Sequence, residues 1–379
     1  MREDPGKIIA VTAGGRDNLP AENRAIPFIS IVMPVRNEAA TIEFVVTALL
    51  TQEYPPDKFE ILVCDGYSTD DTAARVEKFR ERDARVILLH NEGRRSSAGR
   101  NVGYRHARGD IIMFVDGHCI IPDRHLLQAT AEVFASSGAD CLCRPQPLAP
   151  DDTGGFWPAA IAAVRASRLG HSRSSYIFSE DEGFVSPASA GAIYKREVFE
   201  IIGEYDESFD ACEDVEFNVR VEKAGLKSYI SPRLRIFYHA RRGLGSLLAQ
   251  MSRYGQGRFR LFKKHPDTLE GQTLLPSLFL MACLFALLAV VFIPPLRVPI
   301  LLVVLIGYLA AMAAVVWSTG QMGRRGWPVY PLVLFVIYWG LGWGFIRGVL
   351  VDGFAGAVRP DHDSGPPRQG QKRLLKKTR

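Results

Sequence analysis

Four short sets of residues carry side chains suited to chemistry. In Asp116-Gly117-His118 a carboxylate and an imidazole stand two residues apart, so one tight turn can bring both to the same ion. Oxygen and nitrogen in one ligand set move the choice of cation from Mg2+ toward Mn2+. A turn aspartate beside a surface histidine accounts for the same tripeptide. Cys212-Glu213-Asp214 sets two adjacent carboxylates where a helical pattern begins. They either answer the positive end of that helix or supply a general base. Asp65 closes an apolar run several residues before the next helix and is followed by Gly66, which places it to grip a base or a ribose. Ser68, Thr69 and Asp70 read equally well as caps of that helix. The run 93–103, rich in glycine and arginine, brings Arg100 and Asn101 close to a helix start, where guanidinium and backbone N–H groups approach phosphate. His239, after an apolar run, is open between a third ligand and a buried histidine.

These groups need a frame, and the hydrophobic pattern supplies one. Short β-rich runs at 28–33, 60–64, 85–89 and 110–115 alternate with helical spacing over 38–51, 70–82 and 96–106. That alternation predicts a mostly parallel α/β sheet. Residues 34–38, Asp65 and Asp116 then fall at the carboxyl ends of strands, where open α/β sheets bind ligands. There is no G-x-G-x-x-G fingerprint and no Walker lysine, so dinucleotide and ATP-hydrolysis readings lose support. Residues 126–239 are less regular and suit a substrate-facing half.

The carboxyl-terminal part has another composition. From 273 to 351 the only charged residues are Arg297, Arg324, Arg325 and Arg347, in a chain of 379 residues that is 23% charged. Three stretches, 274–293, 298–317 and 329–351, each approach the roughly 20 residues that cross a bilayer. Just before them, residues 232–266 hold nine Lys and Arg and no Asp or Glu. Positive charge beside a span favours the anionic cytoplasmic leaflet and argues against nucleic acid as the partner. Residues 243–264 read as one or two basic amphipathic helices on the membrane surface. Residues 1–27 are polar and lack the apolar core of a secretory signal, so the domain that follows is expected in the cytosol. Six unpaired-looking cysteines fit reduced, buried thiols there. Three crossings would put the tail outside, although five of its last eight residues are basic; a re-entrant or interfacial third stretch is the alternative.

Taken in order, Pro-x-x-Asn-Glu from Pro34, Asp-Gly-x-Ser-x-Asp-x-Thr from Asp65, Gly-Arg-Asn-x-Gly from Gly99, Asp-x-His from Asp116 and Glu213-Asp214 resemble the family 2 inverting glycosyltransferases of the GT-A fold. Asp-Gly-His in place of Asp-x-Asp, with Arg253-Tyr254-Gly255-x-Gly257-Arg258 ahead of the spans, is similar to the succinoglycan-type exopolysaccharide glycosyltransferases among them. The resemblance implies a nucleotide-diphospho-sugar transferase domain over 27–240, between a polar tail at 1–26 and interface helices at 241–272. A membrane region at 273–351 and a basic tail at 352–379 follow.

The resemblance also implies roles for residues. Asp65 binds the nucleoside, Pro34, Val35, Arg36, Asn37 and Glu38 line the base and ribose, and Ser68, Arg100, Asn101, Asp116 and Gly117 complete the donor site. Asp116, His118 and His239 are the expected ligands of a divalent cation, Mn2+ or Mg2+, which neutralises the leaving diphosphate. Asp214 is the expected base and Glu213 positions the acceptor; Arg253 and Arg258 contact phosphate or acceptor. The implied reaction is transfer of a single sugar from a nucleotide-diphosphate-sugar to a polyprenyl-diphosphate-linked saccharide, in exopolysaccharide or cell-envelope glycan synthesis. Polyprenyl phosphate as acceptor and a non-catalytic nucleotide-binding scaffold are the alternatives. The expected setting is the inner membrane, with several passes and a cytoplasmic catalytic domain. Membrane lipid and other glycan-assembly enzymes are the expected further partners.

Overall fold

Strand β1 (Ile29–Val35) is nearly continuous in apolar residues because it is central, paired on both edges and covered on both faces. The computed structural model describes residues 25–149, 155–171, 176–189, 191–319 and 327–353. Most of both expected tails, with Arg324 and Arg325, lies outside them. Along β1, Ile29, Ile31 and Met33 pack into one core cluster and Val32 into another on the opposite face. Each such side chain contributes about 1.5–3 kcal/mol when fully buried.

After β1 come α1 (Ile42–Leu50), β2 (Phe59–Asp65), α2 (Thr72–Arg80), β3 (Val86–His90), α3 (Ser96–His106) and β4 (Ile111–Phe114). This is the alternation expected from the sequence, and β3, β2, β1 and β4 pair in parallel in that order. Two helices start later than expected. Glu38 to Thr41 form a turn whose carbonyl at Glu38 accepts from Thr41 and Ile42, and Asp70 is spent capping the Thr72 N–H at 3.0 Å. Buried Glu60 on β2 is satisfied by Ser30 Oγ at 2.7 Å and by the backbone N–H and Nε of Arg108 at 2.8 and 2.9 Å.

The second half adds β5 (Cys119–Ile120), α4 (Leu126–Ser137), β6 (Cys141–Cys143), α5 (Phe156–Ala166), β7 (Gly183–Phe184), β8 (Gly191–Lys195) and α6 (Arg196–Ile202). It ends with α7 (Glu213–Lys223), β9 (Ser228–Ile230) and β10 (Phe237–Tyr238). β8 joins β4 antiparallel and extends the sheet to eight strands in the order β3-β2-β1-β4-β8-β6-β9-β7. β10 pairs with β5 in a separate ribbon, which carries Tyr238 to the strand ends.

Among the described residues four long helices come last: α8 (Leu244–Lys264), α9 (Gly271–Phe292), α10 (Arg297–Thr319) and α11 (Tyr330–Asp352). Three helices, Gly271–Phe292, Pro294–Ser318 and Tyr330–Asp352, are long and apolar enough to cross a membrane. The basic run on α8 is spent differently from expectation. Arg253 pairs with Asp210 at 3.1 Å, Arg260 with Asp352 at 2.9 Å, and Lys264 with Asp206 at 2.6 Å. Much of the collar therefore fastens α8 to its own chain. The fastening is close-packed as well. A Cβ on Gly255 would land on the Leu341 carbonyl oxygen, one on Gly344 on the Ser252 carbonyl oxygen, and one on Gly257 within 2.9 Å of the Cys212 sulfur. Small residues that let helix backbones touch are how such helices associate.

Two outcomes follow from this packing. Gly255→Leu should lower stability by about 1–3 kcal/mol through overpacking, read as earlier thermal unfolding of the detergent-solubilised chain. The second concerns Glu216, fully buried on α7 against Arg220 at 2.9 Å, Lys264 at 3.2 Å and His265 at 3.1 Å. Burial alone would push its carboxyl up, but the Arg220 hydrogen bonds and the Arg220 and Lys264 charges outweigh burial and hold it below the usual carboxylate range. A carboxylate held low in the folded chain gives stability that is complete above the unfolded value, about 4.3, and is lost as pH falls through the folded one. Acid unfolding should therefore steepen below that point, and Glu216→Gln should flatten the pH dependence.

Candidate active site

The site is built on the carboxyl ends of β1, β2 and β4 and closed by the amino-terminal ends of α3 and α7. Behind β1, Asn37 takes a left-handed backbone with φ 57°. Its side-chain oxygen accepts the Thr69 N–H at 2.8 Å, and its own N–H donates to Ser68 Oγ at 2.9 Å. The Glu38 N–H donates to Thr72 Oγ1 at 2.8 Å. These bonds brace the loop after β1 against the loop after β2. Asp65 is buried and accepts the Ser68 N–H at 3.1 Å as well as the Ser68 hydroxyl. Ser68 thus joins both loops and is not a helix cap.

Strain marks the same region. Among the described residues four non-glycines have positive φ: Asn37, Tyr67, Arg94 and Cys212. The first three follow the adjacent strands β1, β2 and β3, and Cys212 immediately precedes Glu213-Asp214. Left-handed non-glycine backbone costs of order 1–3 kcal/mol and gathers where function demands it.

The turn after β4 presents Asp116, Gly117 and His118. Gly117 lies so near Val35 that a Cβ would stand 2.9 Å from its methyl carbon, and its carbonyl accepts Thr41 Oγ1 at 2.8 Å. His118 Nδ1 bonds the Glu38 carboxylate at 2.9 Å. Burial would lower the His118 pKa, but the hydrogen bond to Glu38 and the Asp116 charge together raise it. The Tyr238 hydroxyl donates to Asp116 Oδ2, and Arg100 Nη2 lies 3.8 Å from Oδ1. Burial pushes the Asp116 carboxyl up, yet Arg100, His118 and the Tyr238 hydroxyl bring it below its ordinary value.

Arg100 also reaches Glu213 Oε1 at 3.6 Å, so one guanidinium joins the strand-end turn to α7. The two neighbouring carboxylates divide. Glu213 is buried, and burial with the Asp214 charge beside it raises its carboxyl against the pull of Arg100. Asp214 is half-buried, with Oδ1 accepting the Val215 N–H at 2.9 Å. Asp214 is therefore the member of the pair that a reactant can meet.

Several sequence expectations change here. Asn101 is spent elsewhere: its amide bonds both backbone groups of Tyr205 at 2.8 and 2.9 Å and the Glu207 carboxylate at 2.9 Å, which leaves it behind the site. A three-ligand metal set of Asp116, His118 and His239 is not formed. Among the described residues no group of three or more His, Cys, Asp or Glu is disposed to hold a metal ion. His118 is turned onto Glu38 and Asp116 onto Tyr238, while His239 is exposed beyond β10. Arg36 stands exposed beyond β1, and Arg253 is committed to Asp210, with Arg258 on the same helix.

The two-residue donor set nonetheless suits a divalent ion that arrives with an anionic ligand of its own. A histidine whose Nδ1 is engaged by a carboxylate is oriented to offer Nε2, the usual arrangement behind a metal-binding imidazole.

Other residues escaped the sequence reading. Arg144, at the end of β6, is buried, donates from Nη2 to the Phe114 carbonyl at 2.9 Å, and keeps Nε and Nη1 without partners. Tyr238 was hidden in an apolar run. Arg165 on α5 has a buried, unpartnered Nε, and its Nη1 lies 3.9 Å from the Met251 sulfur. An arginine closing a buried apolar triplet was the one signal that could have drawn attention to Arg144.

Comparison with known proteins gives this arrangement its context. The family model for glycosyl transferase family 2 matches residues 30–203. The succinoglycan biosynthesis protein ExoA of Rhizobium meliloti (strain 1021) is 30% identical over 334 residues, 84% of this chain and 94% of that protein. A Methanococcus voltae protein is 25% identical over 338 residues, 85% of this chain and 97% of its own length. Its name is dolichyl N-acetyl-alpha-D-glucosaminyl phosphate 3-beta-D-2,3-diacetamido-2,3-dideoxy-beta-D-glucuronosyltransferase. Among solved structures, the mannosyltransferase PcManGT from Pyrobaculum calidifontis, in complex with GDP-Man and Mn2+, superposes with a TM-score of 0.53 at 21% identity. That match covers 89% of this chain and 91% of the other, and it shows a shared GT-A-type fold. With motifs, topology and a near full-length relative in agreement, the chain belongs to glycosyl transferase family 2 and is a glycosyltransferase.

Proposed function

We propose that this glycosyltransferase moves a single sugar from a nucleotide-diphosphate-sugar to a lipid-linked saccharide at the cytoplasmic face of a membrane, with inversion. The observation that carries the reading is the division of the carboxylate pair. Glu213 is buried on Arg100, while Asp214 is accessible at the start of a helix fastened through Cys212 to α8 and the apolar helices. The names of the Rhizobium and Methanococcus relatives agree with a saccharide product and a lipid-phosphate acceptor.

In this reading Asp65 and the loop from Pro34 to Glu38 hold the nucleoside, and Ser68 fixes the Asp65 carboxylate toward it. Asp116 and His118 would hold Mn2+ or Mg2+ together with the diphosphate, where the ion supplies charge to the leaving group. Asp214 accepts the proton of the acceptor hydroxyl. The hydroxyl oxygen forms its bond to the anomeric carbon as the bond from that carbon to the diphosphate oxygen breaks, and the nucleoside diphosphate departs. Glu213, kept in place by Arg100, orients the α7 end and does not compete for the proton. Arg165 lies against Met251 of α8, and the Arg258 charge acts on Cys212 beside Glu213 and Asp214. These two arginines suit the phosphates of the lipid carrier better than Arg253, which Asp210 already neutralises.

The test uses the purified chain in detergent with Mn2+ and a panel of nucleotide sugars, following nucleoside diphosphate release with and without a polyprenyl-diphosphate-linked saccharide. Asp214→Asn should lower acceptor-dependent release by roughly 10²–10⁴-fold while nucleoside diphosphate binding stays intact. Wild-type turnover in that variant would remove Asp214 as the base. A merely weakened rate would point to a phosphate oxygen as nucleophile. Arg165→Gln should raise the acceptor KM about tenfold or more with the donor KM unchanged, the scale of a lost charge-assisted hydrogen bond.

A further inference from the structure

The contacts of α11 set it apart from α9 and α10. Its first residue, Tyr330, is buried in one apolar cluster with Ala160, Ile161 and Val164 of α5 and with Val315 and Val316 near the carboxyl end of α10. Its middle crosses the first turns of α9. A Cβ on Gly342 would land on the Pro276 carbonyl oxygen, and the Phe279 ring meets Phe335 at 5.9 Å and Tyr338 at 5.8 Å. Its last residue, Asp352, accepts from Arg260 of α8 at 2.9 Å, and Arg260 also donates to the Ser208 carbonyl ahead of α7 at 3.3 Å. Along the way α11 runs parallel to α8, with Gly340 against Met251, Gly344 against Ser252 and Gly348 against Phe259.

All these partners lie at one end of the α9–α10 hairpin. The start of α9, the end of α10, α5 and α8 are on the side of the catalytic domain. A 23-residue helix is about 35 Å long, enough to reach the far turn at Pro294–Leu296 if it ran beside the hairpin. Among the described residues nothing packs against the outer face of that half of the hairpin. Phe285, Leu288, Phe292, Val298, Leu301 and Val304 are 52–74% exposed. Buried residues make up 44% of the most apolar stretch of α11, against 11% and 6% for the other two helices.

We infer that the chain crosses the bilayer twice, through α9 and α10, and that α11 lies obliquely in the leaflet next to the catalytic domain, its open face against lipid. This rests on the membrane reading above and replaces the three crossings expected from length and composition. The open face holds Trp343, Arg347, Val349 and Leu350. Tryptophan and arginine together suit headgroup depth, where an indole sits and a guanidinium reaches water. Charge agrees independently. With two crossings, Arg324, Arg325 and the basic last eight residues share the side of the catalytic domain, and the far turn keeps Arg297 alone.

Cysteines introduced one at a time into the full chain test this, labelled by a membrane-impermeant maleimide in vesicles of known orientation. Glu81→Cys reports the catalytic domain, Leu296→Cys the far turn and Ser364→Cys the chain after α11. The native thiols are buried except for the partly exposed Cys283 inside α9, so the unsubstituted chain sets the background. The expected result is label at 81 and 364 from one side and at 296 only from the other. Label at 364 together with 296 would establish a third crossing and overturn the inference. If 296 labels with 81 and alkaline washing releases the chain, the membrane reading itself fails, and this inference falls with it.

Discussion

The guanidinium of Arg100 holds the two halves of the active centre together. It lies between a carboxylate from the sheet and a carboxylate from α7, stacked near the rings of Phe114 and Tyr205 at 5.3 Å. Removing one partner from such a buried group leaves uncompensated charge, at a cost of about 3–5 kcal/mol. Its position depends in turn on how close α3 can come to β1. A Cβ on Gly103 would overlap Val32, and one on Gly99 would stand 3.0 Å from Pro34. Two bare helix positions thus let the cation reach both acids, and its hold on Glu213 leaves Asp214 as the available one.

Around that centre the backbone is held in conformations that side chains resist. Asn37, Tyr67 and Arg94 turn left-handed just past neighbouring strands, and each turn is locked by bonds to the next loop or by ring contacts, such as Arg94 over Tyr67 at 5.4 Å. The parallel sheet supplies the rigidity that sustains this, because β2 is buried throughout and β1 at every position but Pro34. Sheet packing and loop strain are therefore one device, with burial at the strand centres supporting unfavourable geometry at their ends.

Much of this was legible in the sequence, and the reasons differ by residue. Strands β1, β2 and β4 announced themselves by short apolar runs closing near Pro34, Asp65 and Asp116, since a strand covered on both faces has little choice of composition. The place of Glu213 and Asp214 at a helix start was legible from the helical pattern that follows them. What stayed hidden depends on long-range partners. Asn101 sits in a run that looks phosphate-binding, yet its amide closes a loop more than a hundred residues away. Tyr238 reaches Asp116 only because β10 pairs with β5, and no local pattern encodes a two-residue ribbon. The basic residues of α8 looked like lipid contacts because their acidic partners, Asp206, Asp210 and Asp352, are scattered along the chain.

Helix α8 is pinned on two sides by glycines, Gly255 against α11 and Gly257 against the segment that carries Cys212. Contacts between bare backbones leave no flexible side chain to take up slack, so α7 is held at one elevation relative to the apolar helices. On the proposed function, a hydroxyl carried by a lipid-anchored acceptor would meet Asp214 at that one height.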